Sequence, residues 1–191
     1  MSSKAHTSPV PTDEQALIAR LKDVSSREAA FSELVQRFQE KLYYHIRRMV
    51  GNHDDADDIL QNTFIKAWKA MEGFRGDSKL HTWLYRIATN EALTALDRRK
   101  RRTFQDLEGL EDHDQLQIKQ SGTMTSEDIE AKLNAAIETL PERQRAVFNL
   151  RYFDEMPYDE ISKIMEVTTG SLKASYHHAV KKIEKQLKDE K

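Results

Sequence analysis

Apolar residues recur at intervals of three and four along most of this chain, the period of a helix with one buried face. The clearest run, Phe31, Leu34, Val35, Phe38, Leu42, Ile46, Met49 and Val50, keeps that spacing until Gly51 stops it. Ser25 followed by Glu28 fits a capping box at its start. Upstream, residues 1–12 read as a flexible lead-in. It ends in Thr12, a cap for a short helix with Ala16, Leu17, Ile18 and Leu21 inward and an end near Asp23.

The pattern predicts a third helix from about Asp54 to Met71, with Ile59, Leu60, Phe64, Ala67, Trp68 and Met71 on its buried stripe. Asp54, Asp55, Asp57 and Asp58 crowd its first turns, which reads either as carboxylates matched to the helix dipole or as an acidic patch for a basic partner. After a loop from Gly73 to Ser78, a fourth helix is expected from about Lys79 to Lys100. Leu80, Trp83, Leu84, Ile87, Ala88, Leu93 and Leu96 point inward, while Thr82, Arg86 and Asn90 repeat every fourth residue on a separate polar stripe.

Helical periodicity then lapses. From Thr103 to Glu130 eight carboxylates face Lys119 alone, a net charge of -7, and Ser121-Gly122 adds a breaker. Residues 103–125 therefore read as an acidic linker between two small helical domains, 13–102 and 126–191. In the second, Thr125 or Ser126 caps a helix with Ile129, Leu133, Ala136, Ile137 and Leu140 inward, and Pro141 opens the next. A turn at Asp154 to Pro157, a short helix from Tyr158 to Met165, a turn to Gly170 and a helix from Ser171 to about Leu187 complete the chain. That last pair has the form of a helix-turn-helix. The fold class is all-α.

Composition narrows the chemistry. Of 191 residues 32% are charged, with a net charge of -2, and mean hydropathy is -0.75. The absence of cysteine removes disulfides, thiolate metal sites and cysteine nucleophiles. No stretch has the apolar length of a membrane helix or the form of a signal peptide, so a cytoplasmic location is expected. No metal-ligand spacing occurs, since His177 and His178 are adjacent. GFRGDSK lacks the spacing of a P-loop. Neither a metal, a cofactor nor an enzyme activity is expected.

Charge is distributed unevenly. Arg75, Lys79, Arg86 and the run Arg98, Arg99, Lys100, Arg101 and Arg102 outweigh Asp77, Glu91 and Asp97 by five charges in a chain that is acidic overall. Such a surface suits nucleic acid, with cations on phosphates and aromatic or pocket contacts on exposed bases. Two readings of Trp83 stand side by side, a core residue or a stacking platform. The basic run likewise reads as a phosphate anchor or as a solvated helix end favoured by the dipole. In the last helix Ser171, Lys173, Ala174, His177, His178 and Lys181 lie off the apolar stripe, free to face a major groove. A duplex-binding regulator and a helical adaptor protein fit these features as well.

Three segments in order, DDADDILQNTFIKAW, FRGDSKLHTWLYRIATN and LPERQRAVFNLRYFDEMPYDEISKIM, carry a closer resemblance. Over about residues 14–188 the chain resembles the extracytoplasmic-function sigma factors, two-domain initiation factors of bacterial transcription. The resemblance implies a non-catalytic subunit that binds the beta-prime and beta subunits of core RNA polymerase, recognises and opens the promoter -10 element with its first domain, and reads the -35 element with its second. It also implies a candidate anti-sigma factor as partner.

Residue by residue, Asp58, Gln61 and Asn62 match the beta-prime docking positions, Asn62 standing where Glu is more usual. Gly73, Phe74, Arg75, Gly76, Asp77, Ser78 and Lys79 match the loop that captures a flipped-out -10 base, a step that needs a receptive pocket because unstacking costs a few kcal/mol. Arg86 and Asn90 match positions facing -10 DNA, on the stripe shared with Thr82. Lys173, Ala174, His177 and His178 match the -35 readers, although Ser175, His178 and Val180 stand where arginine is frequent. The acidic linker matches the segment that threads through polymerase.

Overall fold

The computed structural model describes residues 13–106 and 126–189. The expected lead-in, the Thr12 and Thr125 caps and most of the acidic linker lie outside them. The N-terminal half comprises α1 (Asp13–Lys22), α2 (Arg27–Val50), α3 (His53–Ala70), a 3-10 turn (Met71–Gly73) and α4 (Leu80–Asp106). The C-terminal half comprises α5 (Ser126–Glu138), α6 (Glu142–Tyr152), α7 (Tyr158–Met165) and α8 (Thr169–Asp189).

Helix α2 buries Leu34, Leu42, Ile46 and Met49 completely, as its period requires, and ends on Gly51 with φ +86°, whose amide donates to Arg47 O at 3.0 Å. The expected capping box at Ser25 does not form. Ser26 is the cap residue and makes no capping bond, because its hydroxyl donates instead to Arg20 O at 2.9 Å and to Asp23. That geometry ties the α1–α2 turn together.

Helix α3 starts at His53, one residue earlier than expected, and is capped by Asn52, whose side chain accepts the Asp55 amide at 2.8 Å. Trp68 differs from expectation: it is 40% exposed, because Phe31 meets only one edge of its ring, with centroids 5.0 Å apart. Helix α4 runs six residues beyond Lys100. Neither Gly nor Pro interrupts it, and Arg and Lys are good helix formers. Its start is capped from outside, Leu80 N donating to Glu14 Oε1 at 2.8 Å.

In the C-terminal half Pro141 precedes α6 as its cap residue. Glu166 closes α7 in the left-handed region, φ 56°, which costs a non-glycine residue about 1–2 kcal/mol and turns the chain sharply toward α8. Thr168 caps α8, its hydroxyl accepting the Ser171 amide at 3.3 Å. Ala136, Ile137, Leu140, Phe148, Ala179 and Ile183 form a local core for α5, α6 and α8.

The remaining apolar residues of this half do not stay local. Val147, Leu150, Ile161, Ile164 and Leu172 join one continuous core with Leu34, Ile46, Leu80 and Leu84 of the other half. The two halves thus pack on each other, α6 against α2 and α7 against α4. Between them His45, fully buried, lies 2.9 Å from Asp154 and 3.0 Å from Thr89. Tyr85 donates to Asp154 at 3.3 Å, and Arg145 donates to Met49 O at 2.8 Å.

Candidate nucleic-acid interface

The loop expected to bind a base folds back over the first turns of α4. Phe74 closes the 3-10 turn through its amide, which donates to Met71 O at 3.1 Å. Two residues later Gly76 takes φ +82°, a conformation that side chains disfavour. Phe74 and Trp83 are buried and meet at a centroid separation of 5.0 Å. Above them lies a cleft of about 460 Å³, formed by Gly73, Phe74, Arg75, Asp77 and Ser78 of the loop, by Thr82, Trp83 and Arg86 of α4, and by Lys163 of α7. A Cβ at Gly73 would meet no atom within 4 Å, so the space around it is open.

Trp83 therefore belongs to the core and also floors the cleft. Arg86 and Asn90 are exposed, whereas Thr82 of the same stripe is only 2% exposed. Its cover is α7: Glu160 accepts from Lys79 Nζ at 2.7 Å, sits 2.6 Å from His81 Nε2, and lies 3.4 Å from the Thr82 hydroxyl. Burial alone would raise the Glu160 carboxyl, but hydrogen bonds from Lys79 and His81 outweigh it and hold the group below its ordinary value, while Lys79 is raised by the same contact. Arg86 lies 3.8 Å from Glu166.

Along α4 the basic run Arg98 to Arg102 is wholly exposed. Lys100 alone of the five forms an ion pair among the described residues, at 2.5 Å from Glu142. Asp58, Gln61 and Asn62 are exposed on α3. Asp58 and Asn62 share a groove of about 500 Å³ with Arg98, Arg99 and Arg102, which sets the acidic and basic surfaces side by side.

On α8 the buried stripe of Leu172, Ala179 and Ile183 leaves Ser171, Lys173, Ala174, His177, His178 and Lys181 exposed on the other face. The Lys173 ammonium lies 5.9 Å from the Tyr158 ring centre, and the His177 and His178 rings are 6.1 Å apart. Among the described residues no cluster of side chains suits a metal ion, and no helix is long and apolar enough to cross a membrane.

Sequence reasoning missed the polar joint between the halves. His45 carried a signal, since it lies three residues after Leu42 and four before Met49 on the buried stripe of α2. Asp154 and Glu160 carried none, because their partners are 109, 69, 81 and 79 residues away. Asn149 was missed as well. It is fully buried on α6, and neither of its side-chain polar atoms meets a protein partner.

Comparison with known proteins follows the same division. Residues 34–102 match Sigma-70 region 2 and residues 130–183 match Sigma-70, region 4. The chain is 36% identical to the RNA polymerase sigma-H factor of Pseudomonas aeruginosa, covering 91% of this chain and 93% of that one. It is 31% identical to the ECF RNA polymerase sigma factor SigW of Bacillus subtilis, over 92% and 99% of the two chains. The fold resembles that of CnrH in complex with the cytosolic domain of CnrY, with a TM-score of 0.67 and 22% identity over 93% of this chain and 99% of that one. It also resembles RpoE in complex with the anti-sigma factor NepR from Bartonella quintana, with a TM-score of 0.65 and 24% identity over 83% and 96%. The chain belongs to the extracytoplasmic-function sigma factors, non-catalytic specificity subunits of RNA polymerase whose regions 2 and 4 recognise the -10 and -35 promoter elements.

Proposed function

We propose that this sigma factor opens its promoters by holding an unstacked base of the -10 element in the cleft between the 73–79 loop and the start of α4. The observation that supports this reading is convergence: Gly73, the cations Arg75 and Arg86, and the Phe74–Trp83 floor meet at one cleft, and Gly76 and Lys79 belong to the same loop. A flipped base needs an apolar seat, and the flanking phosphates need cations. Arg86 and Asn90 follow the strand along α4, and Arg98 to Arg102 hold phosphates beyond it.

In the same reading the exposed face of α8, with Ser171, Lys173, Ala174, His177, His178 and Lys181, enters the -35 major groove. Asp58, Gln61 and Asn62 dock on the beta-prime subunit, and the beta subunit completes the polymerase contact. The factor works in the cytoplasm. An anti-sigma factor is a further partner, as NepR is for the similar RpoE.

Permanganate reactivity of unpaired thymines at a promoter transcribed by the reconstituted holoenzyme tests the cleft. Arg75→Ala combined with Lys79→Ala should reduce -10 reactivity at least about tenfold without changing core affinity. Asp58→Ala should do the reverse, lowering core affinity while single-strand binding persists. Full opening by the double variant contradicts the assignment.

A further inference from the structure

Asn149 is fully buried on α6, yet neither its amide nitrogen nor its amide oxygen meets a protein partner. Buried polar side chains rarely stay unpaired in native proteins. The residue is held in place by its own backbone, whose oxygen accepts the amides of Phe153 and Asp154 at 3.0 and 3.1 Å. Its neighbours Val147, Phe148 and Leu150 are buried apolar residues, and an apolar side chain at this position would carry no unpaired group. Asparagine has no propensity advantage in a helix interior either. Folding alone gives no reason for an amide there.

Asn149 lines a cavity of about 400 Å³ between α2, α5 and α6, a volume within the ~300–1,000 Å³ of small-ligand sites. A second unpaired donor lines it too: Arg47 Nε of α2 is buried and lacks a protein partner. Beside it the Arg48 guanidinium lies 4.2 Å from the Phe153 ring centre and 5.9 Å from that of Tyr44. Ile137 adds a buried apolar wall, and half-exposed Tyr44 an accessible ring. Glu138 is the one carboxylate among the lining residues and it is exposed, so the two guanidiniums outweigh it.

The donor set defines the ligand. An amide with both atoms free matches a flat edge that carries a donor and an acceptor side by side, as on a nucleobase, which asparagine can bind bidentately. Guanidinium groups pair with phosphate oxygens, and aromatic rings stack on bases. We infer that this cavity is a mononucleotide site, in which Asn149 reads the base edge, Tyr44 stacks on the base, and Arg47 with Arg48 holds the phosphate. It is separate from the -10 cleft, with which it shares no lining residue.

Isothermal titration and thermal unfolding of the full-length factor with adenosine, guanosine, cytidine and uridine monophosphates test the site. At least one should bind and, at about a hundred times its dissociation constant, raise the melting temperature by several degrees. Asn149→Leu should melt no lower than the parent protein without ligand and should weaken that binding at least about tenfold. Arg47→Gln should weaken the monophosphate about tenfold and leave the matching nucleoside unchanged, because only the phosphate contact is removed; it carries the test should Asn149→Leu not fold. The Arg75→Ala, Lys79→Ala double variant should bind as the parent protein does. Binding of none of the four, or inorganic phosphate binding as tightly as the monophosphates, overturns the site. Binding that survives Asn149→Leu and Arg47→Gln but is lost in the double variant belongs to the -10 cleft and overturns it as well.

Discussion

His45 Nδ1 lies 2.9 Å from Asp154 Oδ2 and joins α2 to the turn that follows α6. A carboxylate oxygen accepts, so Nδ1 donates to it, and on the other side of the ring Nε2 meets the Thr89 hydroxyl, a group that can donate or accept, at 3.0 Å. The imidazole is fully buried and the Asp154 side chain only 8% exposed. Asp154 also receives the Tyr85 hydroxyl, a phenol that burial, reinforced by the carboxylate itself, pushes well above its ordinary range. Regions 2 and 4 therefore meet through a satisfied polar joint set in an apolar surface.

Removing one partner of this joint exposes the other to the cost of unpaired burial. His45→Ala should destabilise the free factor by about 1–3 kcal/mol, a fall in melting temperature of several degrees for a chain of this size. Thermal unfolding by circular dichroism checks it. A variant that melts at the wild-type temperature means the halves do not depend on this contact.

Acid should open the contact between α7 and the capture loop. Glu160 is held below its ordinary value of 4.5, so its contribution to the closed form is complete above that value and is lost as pH falls through the lower value of the closed form. Lys79, itself also influenced by Glu14, stays charged throughout this window. Solution scattering on acidification from pH 7 through the lowered range of Glu160 should show expansion, and Glu160→Gln should be expanded already at pH 7. A profile identical in the variant removes Glu160 from the closed state's stabilising contacts.

Trp83 separates support from stacking. It is 7% exposed and packed on Phe74, so Trp83→Ala should cost about 3–5 kcal/mol. Trp83→Phe keeps an aromatic floor and should retain promoter opening within about twofold. If Trp83→Phe folds normally yet loses opening, the indole itself contacts DNA.

The basic run should reveal itself through salt. Replacing Arg98 to Arg102 by alanine should weaken open-complex formation and flatten its log-log salt dependence by up to ~0.9 for each phosphate no longer neutralised. An unchanged slope would return these residues to the role of a solvated helix end. Alanine at Lys173, His177 or His178 should instead alter preference among -35 sequences, and a uniform decrease on all of them would mean that these side chains touch only the DNA backbone.

Much of this molecule was legible from residue spacing. The run from Phe31 to Val50, the Asp-rich start of α3 and the short pair of α7 and α8 are local signals, and the helices stand where those signals put them. The loop from Gly73 to Lys79 stood out because its glycines and cations lie close together in the chain, and its role in base capture is the proposal made above. Local misreadings had local causes: Ser25 and Glu28 have capping spacing, but Ser26 binds the preceding turn instead, and Trp68 lies at the edge of its stripe. What sequence could not show is how region 4 rests on region 2. Lys79 and Glu160 are 81 residues apart, and nothing near either predicts the other. Thr82 looked like part of an open polar stripe for the same reason, since its cover comes from α7.

As a sigma factor this chain gives core RNA polymerase its choice of promoter, and transcription from genomic DNA by reconstituted enzyme measures that role without intermediates. Core polymerase with the factor should yield transcripts starting at a defined set of sites that share -10 and -35 sequences, sites at which core alone is silent. The Arg75→Ala, Lys79→Ala double variant should abolish those starts while still binding core. Start sites that are the same with and without the factor would contradict the role.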